Sequence, residues 1–287
     1  MKRLVLSLMF MCFCCLVNGK TIKTVGPQKP VDVSHDFFMN VLQKSLRLAY
    51  PDDVLEIEAT THPGQARVIK LMQQGGYYDI VWSANTDERN QSLLPVEFPL
   101  LGGGLGLRGL VIQASRLAEF EGMTSLEDFK PLVVCQGRNW PDAAILRDAG
   151  LNVYEVSHFD AMLSMVELGR CDVMPLSVYE GYSELNAVSS DFPSLIFFTD
   201  VVLQYDLVMN FYVHPDKTDL QQALLPALVE LHNTGEYTEI LATHELTRMT
   251  NERWQARGHR IISIKTTRTL STLAQRDYFS DLVLMSK

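Results

Sequence analysis

The alternation of hydrophobic and polar positions in the first third of the chain predicts strands and helices in turn. Residues 21–25 and 54–60 alternate with a period of two, which is typical of strands with one buried face. Residues 35–50 instead place apolar side chains three and four positions apart, which predicts an amphipathic helix with Ser34 as its N-cap. A second helix ends at two glycines, and a short apolar run from Asp79 then predicts a third strand. This β-α-β-α-β order favours a parallel sheet.

A glycine-rich run interrupts this pattern at residues 102–109. It contains the spacing Gly-x-Gly-x-x-Gly at Gly104, Gly106 and Gly109, which raises the possibility of a dinucleotide site. In dinucleotide-binding proteins a helix follows these glycines, whereas the apolar residues 110–112 predict another strand here. We therefore interpret the run as a crossover in which the chain leaves one lobe and bends toward the next.

A second series of strands and helices follows the glycines and predicts a second lobe. Strand-like runs at residues 132–135, 152–156 and 173–176 are separated by helical patterns, and residues 210–213 predict a strand that returns to the first lobe. We expect the tail beyond residue 240 to pack back on lobe one. The predicted organisation is a two-lobed α/β fold with a signal peptide (1–19), lobe one (20–109), an inserted lobe two (110–208), and a return to lobe one with a C-terminal tail (209–287).

The first residues of the chain have the composition of a secretory signal. Lys2 and Arg3 precede an apolar core at residues 4–17, and Gly19 precedes Lys20. This core is shorter than the ~20 residues that a membrane-spanning helix needs. We therefore expect a soluble periplasmic protein whose mature chain starts near Lys20. Acylation of a cysteine in this segment, as in a lipoprotein, is the alternative, although bulky residues precede each cysteine where small ones are expected.

The chain contains 5 cysteines, and three of them, Cys12, Cys14 and Cys15, lie in the predicted signal. The other two, Cys135 and Cys171, fall at positions that we interpret as opposite ends of neighbouring parallel strands. Several residues of stagger at ~3.3 Å each exceed the Cα separation that a disulfide allows. The sequence therefore predicts no disulfide between them.

Charge and motif content exclude several classes of function. The 25 Lys and Arg residues are outnumbered by 34 Asp and Glu, a net charge of -9, which disfavours nucleic acid or an anionic membrane as partner. No Gly-x-Ser-x-Gly motif occurs, and His244-Glu245 lacks the second histidine of a zinc-protease motif. We predict a protein that is not an enzyme and needs neither cofactor nor metal. An enzyme of the same fold, a dehydratase or a peptidoglycan-cleaving one, would need an acid and a base in the cleft, with Asp142 and Glu180 as the candidates.

The segment from Asp79 to Arg89 joins a buried strand to a polar loop at its carboxyl end. Open α/β sheets bind ligands at this end of their strands. A Gly-x-x-Asp strand followed by Thr-x-x-Arg, here Thr86 and Arg89, resembles the first-lobe signature of family 3 periplasmic solute-binding proteins. Their fold is shared with the ligand-binding cores of ionotropic glutamate receptors. The Gly-Arg-x-Asp step at residues 169–172 resembles a second-lobe element of that family, and the resemblance covers roughly residues 21–240.

The resemblance implies a type II periplasmic-binding fold with two hinge crossings, which closes around a solute. Arg89 matches the arginine that binds a ligand carboxylate in that family, and its alternative is a structural role beside the next helix. Glu180 is the best candidate for an ammonium partner, with Asp206 as a weaker one. The resemblance also implies an arginine near Ser177, where this sequence has none.

The predicted ligand contacts lie in a lobe-one loop, in a lobe-two loop before a helix whose free N–H groups suit an anion, and near the return crossing. They are Trp82, Ser83, Asn85, Thr86, Arg89, Gly137, Arg138, Trp140, Asp142, Tyr179, Glu180 and Tyr205. Trp140 is expected either to stack on the ligand or to pack at the surface of lobe two.

The resemblance predicts a small anionic or amino-acid-like solute and a monomeric binding protein. It implies an inner-membrane ABC permease as the partner that receives the solute. A sensor or docking subunit for a membrane signalling partner would use the same cleft and is the alternative.

Overall fold

The computed structural model describes residues 19–28, 32–254 and 258–266, so the predicted signal peptide lies outside the described residues. The strands are β1 (Gly19–Val25), β2 (Val54–Thr60), β3 (Ile80–Ala84), β4 (Leu94–Leu100), β5 (Leu107–Gln113), β6 (Val133–Gly137), β7 (Asn152–Val156), β8 (Met174–Ser177), β9 (Leu195–Gln204), β10 (Met209–Val213) and β11 (Arg260–Ser263). The α-helices are α1 (Val33–Ala49), α2 (Gln65–Gln74), α3 (Asp87–Ser92), α4 (Leu117–Glu121), α5 (Pro141–Asp148), α6 (Phe159–Glu167), α7 (Val178–Ala187), α8 (Thr218–Asn233), α9 (Glu236–Thr243) and α10 (Glu245–Trp254). None of the helices in these ranges is long and apolar enough to cross a membrane.

The first lobe is built on strands β1 to β4 and the returning strand β10. β1 and β2 pair in parallel, and β10 lies antiparallel between β3 and β4. Asp79 joins the two groups of strands, because its backbone N–H donates to Lys23 O at 2.8 Å and its carboxylate accepts from Lys23 N at 2.8 Å. The predicted return of residues 210–213 to this lobe is confirmed.

Helix α1 forms the main apolar cover of the first lobe. Asp32 caps it by accepting a hydrogen bond from His35 N, so the prediction of Ser34 as N-cap is wrong. Phe37, Phe38 and four other residues of the helix are buried with Ser45 between them on the same face. Each such apolar side chain contributes about 1.5–3 kcal/mol when it leaves water. The helix ends at Ala49 because a proline follows Tyr50 and disfavours helical geometry there.

The second lobe has strands β5 to β9 and β11. One sheet has the order β11-β9-β5-β8, β6 and β7 pair in parallel, and a parallel bridge between Val134 and Val173 connects β6 to the start of β8. β5 is antiparallel to both of its neighbours, whereas β6 and the segment that leads into β8 run parallel, as the sequence predicted for the strands of Cys135 and Cys171.

A short 3-10 helix, Leu101–Gly106, carries the chain from β4 to β5. As predicted, a strand rather than a helix follows the glycines. Gly106 is required because an added Cβ would lie 1.9 Å from the carbonyl oxygen of Tyr205, on the second crossing. Tyr205 N donates to Gly106 O at 3.1 Å, so the two crossings lie side by side between the lobes.

The described part of the C-terminal tail packs mainly on the second lobe, whereas the expectation placed it on lobe one; its contact with lobe one includes that of His244 with Asp36, at 3.2 Å. β11 pairs in parallel with β9, and α10 packs mainly on α7. Thr250 Oγ1 donates to Val178 O, and Ser183 Oγ donates to Leu246 O at 2.9 Å. The physical reason is that β9 would otherwise be an edge strand with unpaired backbone groups.

Cys135 and Cys171 form a disulfide with a Cα separation of 5.7 Å, so the prediction of no disulfide is wrong. Cys135 lies within β6, and Cys171 lies in the turn that leads to β8, not at the far end of a strand. Cys135 N donates to Val173 O at 2.9 Å, which brings the two segments together. The error came from the assumed strand register, which the sequence pattern does not specify.

Candidate functional site

A cavity of about 590 Å³ lies between the two lobes. It is bordered by the carboxyl ends of β1, β3 and β6 and by the amino end of α7. Residues at the crossings also line it, namely Leu105, Arg108 and Met209. This position agrees with the rule that open α/β sheets bind ligands beyond the carboxyl ends of their strands.

The lobe-one wall of the cavity is largely aromatic and aliphatic. Trp82 projects from β3 and stacks on Phe38 of α1, with 5.3 Å between ring centroids and 27° between planes. The ring of His35 meets Trp82 edge-on at 5.4 Å. Because both neighbours support the indole, Trp82 presents a pre-positioned apolar surface to a solute.

The loop from Gly137 to Asp142 forms part of the lobe-two wall. Gly137 ends β6, and an added Cβ there would lie 2.3 Å from the Trp140 ring, so the glycine allows the indole to fold over the strand end. Trp140 N donates to Gly137 O at 3.0 Å, and Pro141 starts α5. Asn139 has a φ of 65°, a left-handed conformation that asparagine tolerates better than most residues.

Arg108 occupies the base of the cavity and is buried, with 3% of its side chain exposed. Its Nη2 lies 2.5 Å from Asp142 Oδ1, and the hydroxyl of Tyr205 donates to the same oxygen at 2.6 Å. Burial acts to lower the pKa of Arg108, but its interactions with Asp142, Tyr205 and Glu180 outweigh that effect and raise the pKa. Burial raises the pKa of Tyr205 well above its usual value. The three groups therefore hold one another in place.

Glu180 and Glu184 lie one turn apart on α7, and both line the cavity. Glu180 Oε2 is 4.0 Å from Arg108 Nη1, a looser contact than that of Asp142. Ser34 Oγ of lobe one donates to Glu184 Oε1 at 2.9 Å, so this contact connects the lobes. Burial raises the pKa of Glu180 to about 7; Arg108 opposes the shift, while Glu184, Asp142 and Asp32 add to it.

The structure brings half of the predicted ligand residues to the cavity. Those that line it are Trp82, Gly137, Arg138, Trp140, Asp142 and Glu180. Arg138 is exposed and lies at the rim, while the Asp142 carboxylate points to Arg108. Trp140 lines the cavity and also packs on the core of lobe two, so its two expected roles both stay predictions, as does the ligand that these residues bind.

Arg89 lies outside the lining. Its Nη1 donates to Ala84 O at 2.6 Å and its Nη2 to Asn139 O at 3.4 Å, so the side chain bridges the lobe-one strand end and the lobe-two loop. Thr86 caps α3 by accepting from Arg89 N at 3.1 Å. The carboxylate-binding role that the resemblance implies for Arg89 stays a prediction.

The remaining predicted contacts serve the framework around the cavity. Asn85 exchanges two hydrogen bonds with the backbone of Val208, at 2.9 and 3.1 Å, and so joins lobe one to the second crossing. Ser83 is fully buried in β3, and its hydroxyl has no partner among the described residues. Tyr179 is buried against Gly104, where an added Cβ would lie 2.3 Å from the ring. Asp206, the weaker ammonium candidate, is exposed and accepts from Thr266.

Sequence reasoning missed several lining residues, above all Arg108. Its only signal was its place after the glycine crossover, where an arginine interrupts an otherwise apolar strand. It lies directly across from Ser177 in the pairing of β5 with β8, which is where the resemblance implied an arginine. Further lining residues that were not predicted are Gln28, Asp32, Ser34, Phe38, His62, Gln65, His158, Phe159, Asp160 and Glu184.

The charges around the cavity are unbalanced. Five carboxylates line it, those of Asp32, Asp142, Asp160, Glu180 and Glu184, against two guanidinium groups, those of Arg108 and Arg138. Burial lowers the pKa of His62, which also lines the cavity and so tends to be neutral. Within residues 19–28, 32–254 and 258–266, no group of three or more His, Cys, Asp and Glu could hold a metal ion.

No protein-family model matches the chain, and no curated protein matches its sequence. Solved structures of similar fold do exist. A periplasmic binding protein of the His/Glu/Gln/Arg/opine family from Silicibacter pomeroyi, in complex with lysine, is 13% identical with a TM-score of 0.58, over 78% of this chain and 95% of that one. An amino acid ABC transporter substrate-binding protein from Streptococcus pneumoniae, bound to L-arginine, is 13% identical with a TM-score of 0.56, over 81% and 95% of the two chains.

A histidine kinase sensor domain with similarity to periplasmic binding proteins is also similar, at 13% identity and a TM-score of 0.60, over 79% of this chain and 96% of that one. At these identities the comparisons establish the fold and leave the ligand open. The chain has a two-lobed α/β fold similar to that of these periplasmic binding proteins, as the sequence predicted.

Proposed function

We propose that this protein is an exported solute-binding protein that captures a small, amino-acid-like solute between its lobes and delivers it to a membrane transporter of the ABC class. The observation that carries the proposal is the 590 Å³ cavity, because it lies between two lobes joined by adjacent crossings. Cavities of ~300–1,000 Å³ are typical of small-molecule sites. The solved structures of similar fold include substrate-binding proteins of amino acid transporters, which supports this assignment.

Hinge closure fits the contacts that join the lobes. Away from the crossings, Arg89 reaches Asn139 O and Ser34 reaches Glu184, and both hydrogen bonds must break when the lobes separate. Hinges absorb large dihedral changes in a few residues at the ends of elements, while each lobe stays rigid. We therefore propose that Leu101–Gly106 and the segment around Tyr205 form the hinge, with lobe two inserted between them.

The proposed periplasmic location rests on the signal-like residues 1–19, and the disulfide agrees with it. Disulfides persist in oxidising compartments such as the periplasm and are rare in the cytosol. Catalysis is not part of the proposal. The enzyme alternative needs Asp142 and Glu180 as acid and base, and Asp142 is held by Arg108 and Tyr205 instead of facing the cavity alone.

Native mass spectrometry of protein purified from its own host would identify a solute that remains bound. Small-angle scattering of the emptied protein, with and without that solute, should then show compaction on binding. A bound solute with no change in radius of gyration would contradict the hinge, and a protein that carries and binds no small molecule would overturn the proposed function.

A sensor or docking role is the second candidate, because a histidine kinase sensor domain has the same fold. The same cavity would then report solute binding to a membrane partner. Crosslinking of the solute-loaded protein in cells separates the two roles: a crosslinked ABC permease supports delivery, and a crosslinked kinase or other signalling protein supports sensing.

A further inference from the structure

The cavity has an excess of negative charge at its centre, beside the amino end of α7. Arg108 is drawn toward Asp142 at 2.5 Å, and Glu180 lies farther away at 4.0 Å with 15% of its side chain exposed. Asp32 of lobe one lines the same cavity, and its like charge contributes to the raised pKa of Glu180. A buried carboxylate is costly unless a cation compensates it or it takes up a proton. The raised pKa of Glu180 means that this carboxylate takes up a proton more readily than usual.

Of the three arginines at or near this cavity, Arg89 and Arg108 are held by other protein groups, and Arg138 lies at the exposed rim. Arg89 donates to the carbonyl oxygens of Ala84 and Asn139, and Arg108 lies between the carboxylates of Asp142 and Glu180. An anionic group placed here would therefore face carboxylates rather than a guanidinium fork. The sequence predicted an anionic or amino-acid-like solute, and this charge arrangement disfavours the purely anionic alternative.

Aromatic surfaces line the same cavity and favour a positively charged organic group. Trp82 lies on the lobe-one side, supported by Phe38, and Trp140 lies on the lobe-two side over Gly137. Indole faces attract ammonium and guanidinium groups by ~0.5–2 kcal/mol, more when water is excluded. A metal ion is the other kind of cation that carboxylates bind, but no suitable group of ligands occurs among the described residues.

We infer that the solute carries an ammonium or guanidinium group, which binds between Glu180 of lobe two and Asp32 of lobe one, with Glu184 beside it. The inference rests on the proposed function and specifies the chemistry of the solute at that site. Because Glu180 belongs to lobe two and Asp32 to lobe one, a cation bound by both would link solute binding to closure of the lobes. A carboxylate on the solute is not required.

Tryptophan fluorescence and calorimetry with matched probes test this inference. The cationic probes are agmatine, which has no carboxylate, and L-arginine; the anionic probe is glutarate. We expect both cations to bind and glutarate not to bind. Glu180→Gln and Asp32→Asn should each weaken agmatine binding by ten- to a hundredfold, the range for a lost hydrogen bond to a charged group. Glu127→Gln removes an exposed carboxylate of lobe two, 73% of whose side chain is in solvent, and should leave binding unchanged.

Binding of glutarate in preference to both cations would overturn the inference and leave the proposed function intact. Unchanged agmatine affinity in Glu180→Gln and Asp32→Asn, with native melting temperatures, would overturn it as well. If none of the three probes binds, the solute found by native mass spectrometry decides: a cationic group supports the inference and an uncharged or purely anionic solute overturns it. If no solute is found either, the proposed function fails together with the inference.

Discussion

The two walls of the cavity differ in chemistry although both come from α/β lobes. The lobe-one wall is mainly apolar, with Trp82 and Phe38 as its largest side chains, and Asp32 is the one carboxylate that its described residues contribute. The lobe-two wall contributes four carboxylates, among them Asp142 and Glu180. Under the proposed function, lobe one would offer the solute a stacking surface and one carboxylate, that of Asp32, whereas lobe two would supply most of the negative charge.

The largest expected effect comes from the buried ion pair at the base of the cavity. Arg108→Met should destabilise the protein by about 3–5 kcal/mol, because it leaves the Asp142 carboxylate buried with only Tyr205 as its partner. Urea unfolding followed by circular dichroism measures the change. Arg138→Met, at the exposed rim of the same wall, is the matched control and should have little effect. Equal losses of stability in the two variants would mean that the ion pair between Arg108 and Asp142 does not stabilise lobe two.

The disulfide should stabilise lobe two selectively. Cys135→Ser combined with Cys171→Ser opens a loop with a sequence separation of 36, and such a loss typically costs about 2–4 kcal/mol. Hydrogen exchange resolved by peptide should show faster exchange in β6 and β8 and unchanged exchange in β1 and β3 of lobe one. Uniformly faster exchange in both lobes would show that they unfold as one cooperative unit.

Arg89→Ala tests whether the arginine of lobe one acts on the solute or on the closed state. A residue that bound a solute carboxylate directly would weaken binding by ten- to a hundredfold when removed. We expect a loss of less than tenfold, because Arg89 contacts Ala84 O and Asn139 O instead of lining the cavity. Calorimetry with the bound solute identified by mass spectrometry measures it. A larger loss would restore the role that the family resemblance implied.

The smallest expected effect is a pH dependence through Glu180. Its pKa is raised from 4.5 to about 7, so the folded protein holds this proton more tightly than the unfolded chain does. The resulting stability is fully present below about pH 4.5 and is lost as the pH rises to about 7.

A cation bound beside Glu180 favours the charged form of this side chain. Agmatine should therefore bind more tightly above pH 7 than at pH 5, and its binding should release a proton. Calorimetry in two buffers of different ionisation enthalpy detects that proton. Glu180→Gln should remove the release, and proton release that persists in this variant would assign it to another group.

Much of the fold could be predicted from the sequence because local periodicity depends on neighbours within a few positions. The strands β1, β2, β3 and β10 and the helix α1 were predicted within a few residues of their observed bounds. Trp82, Trp140 and Glu180 line the cavity, and each lies within a predicted strand or shortly after its carboxyl end. The local pattern was less informative at helix starts, where Asp32 and not Ser34 supplies the cap.

The sequence by itself determined the alternation of elements, the position of the glycine crossover and the loops that reach the cavity. Only the tertiary structure decided which distant side chains meet there. Arg108 and Tyr205 come from the two crossings and reach Asp142 at the start of α5, and Cys135 meets Cys171 through the alignment of β6 with the segment before β8. Strand register and lobe closure set these contacts, and both arise from packing between segments far apart in the chain, which no local pattern encodes.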